Sequence, residues 1–254
     1  MAGNDLLRVQ DLKKTFGGIQ AVNYASFTVQ KGYIKSLIGP NGAGKTTVLN
    51  LISGIYPFES GIITFKERSL SNLSPHTITA LGIGRTFQNG GLFPNMTLLE
   101  NVMVGFHSRL KIGFSTSMFR LPRVLAEERH FRKQAMKLLE TFDLAEKHDL
   151  SLAGIPIGEQ RMVEIASALA IAPDLLLLDE PSAGLNDTEA HALATLLFKI
   201  RDQGATILLI EHNMDLVMKV SDQIAVLNYG EILAEGSPYE IQNDARVIQA
   251  YLGE

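Results

Sequence analysis

At Ala25, Phe27 and Val29 every second residue is apolar or small, the period of a strand with one buried face. A short apolar-rich run, YIKSLIG at 33–39, ends in a glycine turn, and a helix pattern follows at 46–53. The stretch 33–53 therefore reads as strand, glycine-rich loop and helix. From about 89 to 154 strand-like runs stop. There, Thr97 followed three residues later by Glu100 is a capping-box pattern that opens a helix. Farther on, Phe131, Ala135, Leu138, Leu139 and Phe142 fall on one helical face. The segment between, 108–122, is irregular and reads as a surface loop or short helix.

Alternation returns after 155. A helix over about 158–170 stops before Pro173, and the strand LLLLD at 175–179 follows. Then come a helix near 187–203, the strand TILLI at 206–210, two short strands joined at Tyr229-Gly230, and a closing helix in DARVIQAYLG. Alternating strands and helices predict an α/β fold with a mostly parallel sheet covered by helices.

Composition narrows the classes. The 254 residues are 46% hydrophobic and 20% charged, ordinary for a globular chain able to bury a sizeable core. There is no cysteine, so disulfides and thiolate metal sites are excluded. A net charge of -4 argues against a nucleic-acid partner, which usually meets a basic face. No run approaches the roughly 20 apolar residues that span a bilayer, and 1–14 lacks the apolar stretch of a signal peptide.

Candidate chemistry begins with GPNGAGKTT, Gly39 to Thr47, which matches the phosphate-loop pattern. Gly39, Gly42 and Gly44 let backbone N–H groups, with Asn41 among them, curl round a phosphate. A helix N-terminus points its positive end at the same anion. In this pattern Lys45 reaches the β- and γ-phosphates of ATP, and the Thr46 hydroxyl, next to Thr47, ligates Mg²⁺. Asp179 ends an apolar strand beside that loop and is placed to hold the Mg²⁺. Glu180, one residue on, is placed to orient or deprotonate water for attack on the γ-phosphate. His212 follows another apolar strand and becomes a γ-phosphate contact. Gln88, alone, would be a surface amide.

Phosphate loop, glutamine, helix, LLLLDE and histidine occur in the order of the ATP-binding subunits of ABC transporters, and the chain resembles that family over nearly its whole length. KTFGGIQAVN, RTFQNGGLFPNMTLLENVMVG, DEPSAGLN and VIQAYLGE are similar to the branched-chain amino acid importer group. Urea, amide and lipopolysaccharide-export ATPases look similar in places. The resemblance implies a P-loop NTPase core with an N-terminal antiparallel β subdomain, over 1–88 and 155–254, and an inserted helical subdomain over 89–154. It implies that Phe16 stacks on adenine, and that Gln88 senses Mg²⁺ and the γ-phosphate. Ala183 to Asn186 would cross the interface between two cassettes. Permease subunits, a second ATPase subunit and, indirectly, an extracytoplasmic solute-binding protein are the implied partners. The implied location is the cytoplasmic face of the cell membrane. Leu92, Phe93, Met96 and Leu99 would either meet the permease or pack inside the helical subdomain. A soluble ABC-type ATPase acting on ribosomes or DNA is the alternative from another class; such proteins usually carry two cassettes or a long coiled coil.

The family signature reads Leu-Ser-Gly-Gly-Gln before a helix. Here Ile155, Pro156, Ile157, Gly158 and Glu159 align with it. Pro156 has neither the serine hydroxyl nor an N–H to offer a partner's γ-phosphate. It suits the first position of a helix. Gly158 is kept. The expectation is that the ATP site built with this signature is the weaker one; the alternative is that the remaining backbone donors and the helix dipole suffice.

Overall fold

The computed structural model describes residues 4–86, 91–109 and 122–252. In chain order the elements are β1 (Asp5–Phe16), β2 (Ile19–Gln30), β3 (Ile34–Ile38), α1 (Lys45–Ile52), β4 (Ser60–Phe65), β5 (Arg68–Ser69) and α2 (Pro75–Ala80). Then come β6 (Ile83–Arg85), α3 (Leu98–Gly105), α4 (Pro122–Thr141) and α5 (Ile157–Leu169). The chain closes with β7 (Leu175–Asp179), α6 (Asp187–Asp202), β8 (Thr206–Ile210), α7 (Met214–Val220), β9 (Gln223–Asn228), β10 (Glu231–Gly236), α8 (Pro238–Gln242) and α9 (Ala245–Leu252). Two compact units result: Met1–Ile78 with Asp174–Glu254, and Thr79–Pro173.

The first unit holds two sheets. The antiparallel one has the order β2-β1-β4-β5. Its first hairpin turns at Gly17-Gly18, with φ of 54° and 89°, the conformation that matches strand twist in two-residue turns. Val22, Ala25, Phe27 and Val29 are all buried, yet Val22 and Ala25 are three apart. The register shift between Leu12 and Lys14 explains this: Tyr24, at φ 52°, is the extra residue of a bulge.

In the second sheet, five strands of this unit run in the order β10-β9-β3-β8-β7. β9, β3, β8 and β7 are parallel, and β10 returns antiparallel through the Tyr229-Gly230 turn. Every residue of β3, β7 and β8 is buried. That is why LLLLD and TILLI are unbroken apolar runs: a parallel strand has no solvent face. Burying each leucine contributes about 1.5–3 kcal/mol, enough to tolerate a few paired polar groups. Lys35 is one of these. Burial pushes its ammonium below the usual lysine range, while its partner Glu235 acts in the opposite direction. The Ser36 and Ser221 hydroxyls meet at 2.6 Å.

In the second unit the expected capping box opens α3. Thr97 Oγ1 accepts from the Glu100 N–H at 3.2 Å, and Glu100 Oε2 accepts from the Thr97 N–H at 2.8 Å. The second bond is the main reason the Glu100 carboxyl lies below its usual range. On α4, Ala135 and Leu139 are buried and Phe131 and Leu138 half-buried, with Phe142 buried just past its end. Most of the segment expected to be irregular, 110–121, lies outside the described residues, and its last residue, Pro122, starts α4. Leu99 is buried and packs inside this unit. Phe93 is 48% exposed. The loop carrying Phe93 is held by Asn101, whose buried amide accepts from the Phe93 N–H at 2.7 Å and donates to the Thr97 carbonyl at 2.9 Å.

Candidate nucleotide-binding site

β3 delivers the chain into the phosphate loop. Gly39 has φ 148°, and a Cβ there would lie 1.9 Å from the Leu227 carbonyl oxygen. Gly44 has φ 104°, and a Cβ there would lie 2.1 Å from the Ala21 carbonyl oxygen. Only glycine fits at either position, because backbone, not a yielding side chain, stands in the way. Gly42, at φ 78°, needs the same conformational freedom at the exposed tip beside Asn41. The Gly230 N–H donates to the Ala43 carbonyl at 3.0 Å and ties the β9–β10 turn to the loop.

Gly44 is the N-cap of α1, and no side chain caps the helix. Its first-turn N–H groups, those of Lys45, Thr46 and Thr47, form a ready anion site. Lys45 is 5% exposed, and its ammonium donates to the carbonyls of Gly39 at 2.7 Å and Pro40 at 2.8 Å. Thr46 Oγ1 lies 3.5 Å from Asp179 Oδ1, at the end of β7. Two hard oxygens, one from the first turn of α1 and one from the end of β7, make a donor set suited to Mg²⁺.

Glu180 follows with φ 51°, unusual for a residue with a side chain. Its N–H still bonds the Ile210 carbonyl, at 2.9 Å. Its carboxylate Oε1 is 3.0 Å from His212 Nε2. The structure thus brings together Lys45, Thr46, Asp179, Glu180 and His212. Phe16 ends β1, 41% exposed, on the hairpin whose other arm puts Ala21 against Gly44. Gln88 lies outside the described residues.

The signature residues belong to the second unit. Pro156 is the N-cap of α5 with extended backbone (φ -55°, ψ 153°), and Ile157 is the first helical residue, one before the expected start at 158. Serine or threonine is favoured at an N-cap because the side chain binds a first-turn N–H, and proline cannot do so. Ile157 is 59% exposed. The Glu159 carboxylate is clamped by Lys147 Nζ at 2.7 and 2.8 Å.

A family described as ABC transporter matches residues 22–183, and one described as branched-chain amino acid ATP-binding cassette transporter matches 231–254. The high-affinity branched-chain amino acid transport ATP-binding protein LivG of Salmonella typhimurium is 44% identical, covering 98% of both chains. BraF of Pseudomonas aeruginosa, of the same description, is 42% identical with the same coverage. The chain belongs to the ABC transporter ATP-binding family. It is an ATPase of the kind that powers transport. A crystal structure of an ATP-binding cassette in its ADP conformation superposes with a TM-score of 0.86 at 31% identity, covering 98% of this chain and 99% of the other. Such cassettes have a P-loop NTPase core, an antiparallel β subdomain and helices inserted between, as here. No described helix of this cassette is long and apolar enough to cross a membrane.

One residue of the cassette site escapes sequence reasoning. Glu211 is 2% exposed, and its carboxylate accepts three backbone N–H bonds: Ser182 at 2.7 Å, His212 at 3.0 Å and Asn213 at 3.3 Å. It joins the loop after Glu180 to the loop carrying His212. An acid just before the histidine was visible in the sequence, but nothing there showed it turning inward. Asn186, in the loop after Glu180, caps α6 through a reciprocal pair with Glu189 at 2.9 and 3.0 Å. Replacing Glu211 with glutamine keeps the volume but sets an NH₂ against N–H donors, at a cost of about 1.5–3 kcal/mol. Glu211→Gln is expected to lower the steady-state kcat for ATP by about 10-fold and leave MgATP affinity near wild type; an unaltered kcat would refute this positioning role.

Proposed function

We propose that this cassette powers import of branched-chain amino acids or related small solutes. It works at the cytoplasmic face of the cell membrane on permease subunits fed by an extracytoplasmic binding protein. The observation that carries the solute class is the match of residues 231–254 to the branched-chain group, backed by relatives of that description aligned end to end. In this reading the adenine stacks on Phe16, and the triphosphate lies in the loop Gly39–Thr47 with Lys45 on its β- and γ-phosphates. Thr46 and Asp179, with Gln88, would hold Mg²⁺, which when bound neutralises charge on the phosphates. Glu180 orients the attacking water and accepts its proton. Water oxygen bonds to the γ-phosphorus, the bond to the ADP oxygen breaks, and ADP leaves with phosphate. His212 holds Glu180 at one ring nitrogen and, in this reading, contacts the γ-phosphate. Phe93, exposed on a loop fixed by Asn101, offers an apolar contact to the permease.

A second cassette completes each site, since hydrolysis needs a signature from across a dimer. In this chain the signature helix lacks both a capping hydroxyl and the Pro156 N–H. The ATP site that uses it is therefore the weaker of the two. The site with Lys45 and Glu180 works at full strength when the partner supplies a complete signature.

Purification from native membranes in mild detergent is expected to bring down permease subunits and a cassette partner; recovery with ribosomes or DNA would overturn the transport reading. In that assembled complex Pro156→Ser is expected to raise ATPase activity several-fold, since a hydrogen bond to a charged group contributes about 1.5–3 kcal/mol. Equal activity and equal ATP-driven closure would sink the claim of unequal sites.

A further inference from the structure

The loop after α1 grips the end of β1. Tyr56 stands four residues beyond Ile52, the last residue of α1, and its ring meets Phe16 edge-on, with centroids 5.3 Å apart and planes at 71°. The Glu59 carboxylate accepts from the Thr15 N–H at 2.8 Å and from the Thr15 hydroxyl at 3.1 Å. The Glu59 N–H donates to the Lys13 carbonyl at 3.0 Å. The Thr15 N–H is the main reason the Glu59 carboxyl lies below its usual range, so this latch is charged at neutral pH. The Lys14 ammonium sits 5.0 Å from the Phe16 centroid.

These contacts converge on one exposed ring. Phe16, at the tip of a hairpin, has no core around it to choose its rotamer. An edge-on neighbour does so without covering both faces, and aromatic pairs strongly favour that geometry. Tyr56 is 39% exposed and stands outside the buried core. It stands in the loop that leaves the end of α1, the helix that begins with Lys45.

We infer that Tyr56 is a positioning residue for the purine base of ATP: it holds the Phe16 ring in stacking orientation, while Glu59 fixes the backbone beneath. This rests on Phe16 as the base-stacking residue. Pre-ordering the ring removes an entropy cost that binding would otherwise carry. Edge-on packing uses the ring and not the hydroxyl, so phenylalanine should serve at position 56.

The test compares affinities of the purified chain for ATP and for inorganic tripolyphosphate, which lacks a base. Tyr56→Ala is expected to weaken ATP about 3- to 10-fold and leave tripolyphosphate unchanged. Tyr56→Phe should match wild type, and Tyr56→Ala should add nothing in a Phe16→Ala background. Wild-type ATP affinity in Tyr56→Ala, or additive losses in the double variant, would overturn the inference while a loss in Phe16→Ala alone leaves base stacking standing. Loss of tripolyphosphate binding in Tyr56→Ala would also overturn it, since the effect would then lie in the phosphate loop. Undiminished ATP affinity in Phe16→Ala would remove the base-stacking reading itself, and this inference with it.

Discussion

The site depends on the parallel register of β8 between β3 and β7. Ile210 stands opposite both Leu37 and Asp179, so the three strands end within one residue of one another. Three loops then leave one edge of the sheet side by side: the phosphate loop, the loop opened by Glu180, and the loop carrying His212. A slip of one strand would part Thr46 from Asp179, or Glu180 from His212, although every residue remained. Glu180 extends the ladder by one bond to Ile210 and then turns with a positive φ. Such backbone strain costs about 1–3 kcal/mol, and the fully buried leucines of β7 before it, with the bond to Ile210, hold it in place.

Backbone groups do much of the positioning. The phosphate loop is shaped by carbonyls of Leu227 and Ala21 that leave no room for a Cβ. Lys45 is held by two carbonyls, and Glu211 gathers three N–H groups from two loops. Side chains fixed to main-chain atoms move little when a ligand arrives, which suits a site that must hold ATP for hydrolysis.

Much of this was legible in the sequence where the signal is local. Parallel core strands read as apolar runs because both faces are covered, and β7 and β8 fall where LLLLD and TILLI predicted. The glycine loop read clearly because φ and close approach both demand glycine. The capping box at Thr97 and the turn at Tyr229-Gly230 also have short-range causes. Long-range choices were not legible. Glu211 is an ordinary polar residue until the fold turns it inward onto backbone of a distant loop. Tyr56 reads as one aromatic among many, since its partner Phe16 lies forty residues earlier in the chain. The helix α5 starts at Ile157, one residue from the expected 158, but that Pro156 would take the N-cap position was not legible.

The central claim is that strand register sets Asp179 beside the phosphate loop as a metal carboxylate. The most direct measurement is ATP affinity with Mg²⁺ and with excess EDTA, in the wild-type chain and in Asp179→Asn, which preserves side-chain volume. Mg²⁺ should tighten ATP binding in the wild type. In Asp179→Asn most of that gain should vanish, while Mg²⁺-free affinity stays the same. An undiminished Mg²⁺ gain in Asp179→Asn would contradict the account.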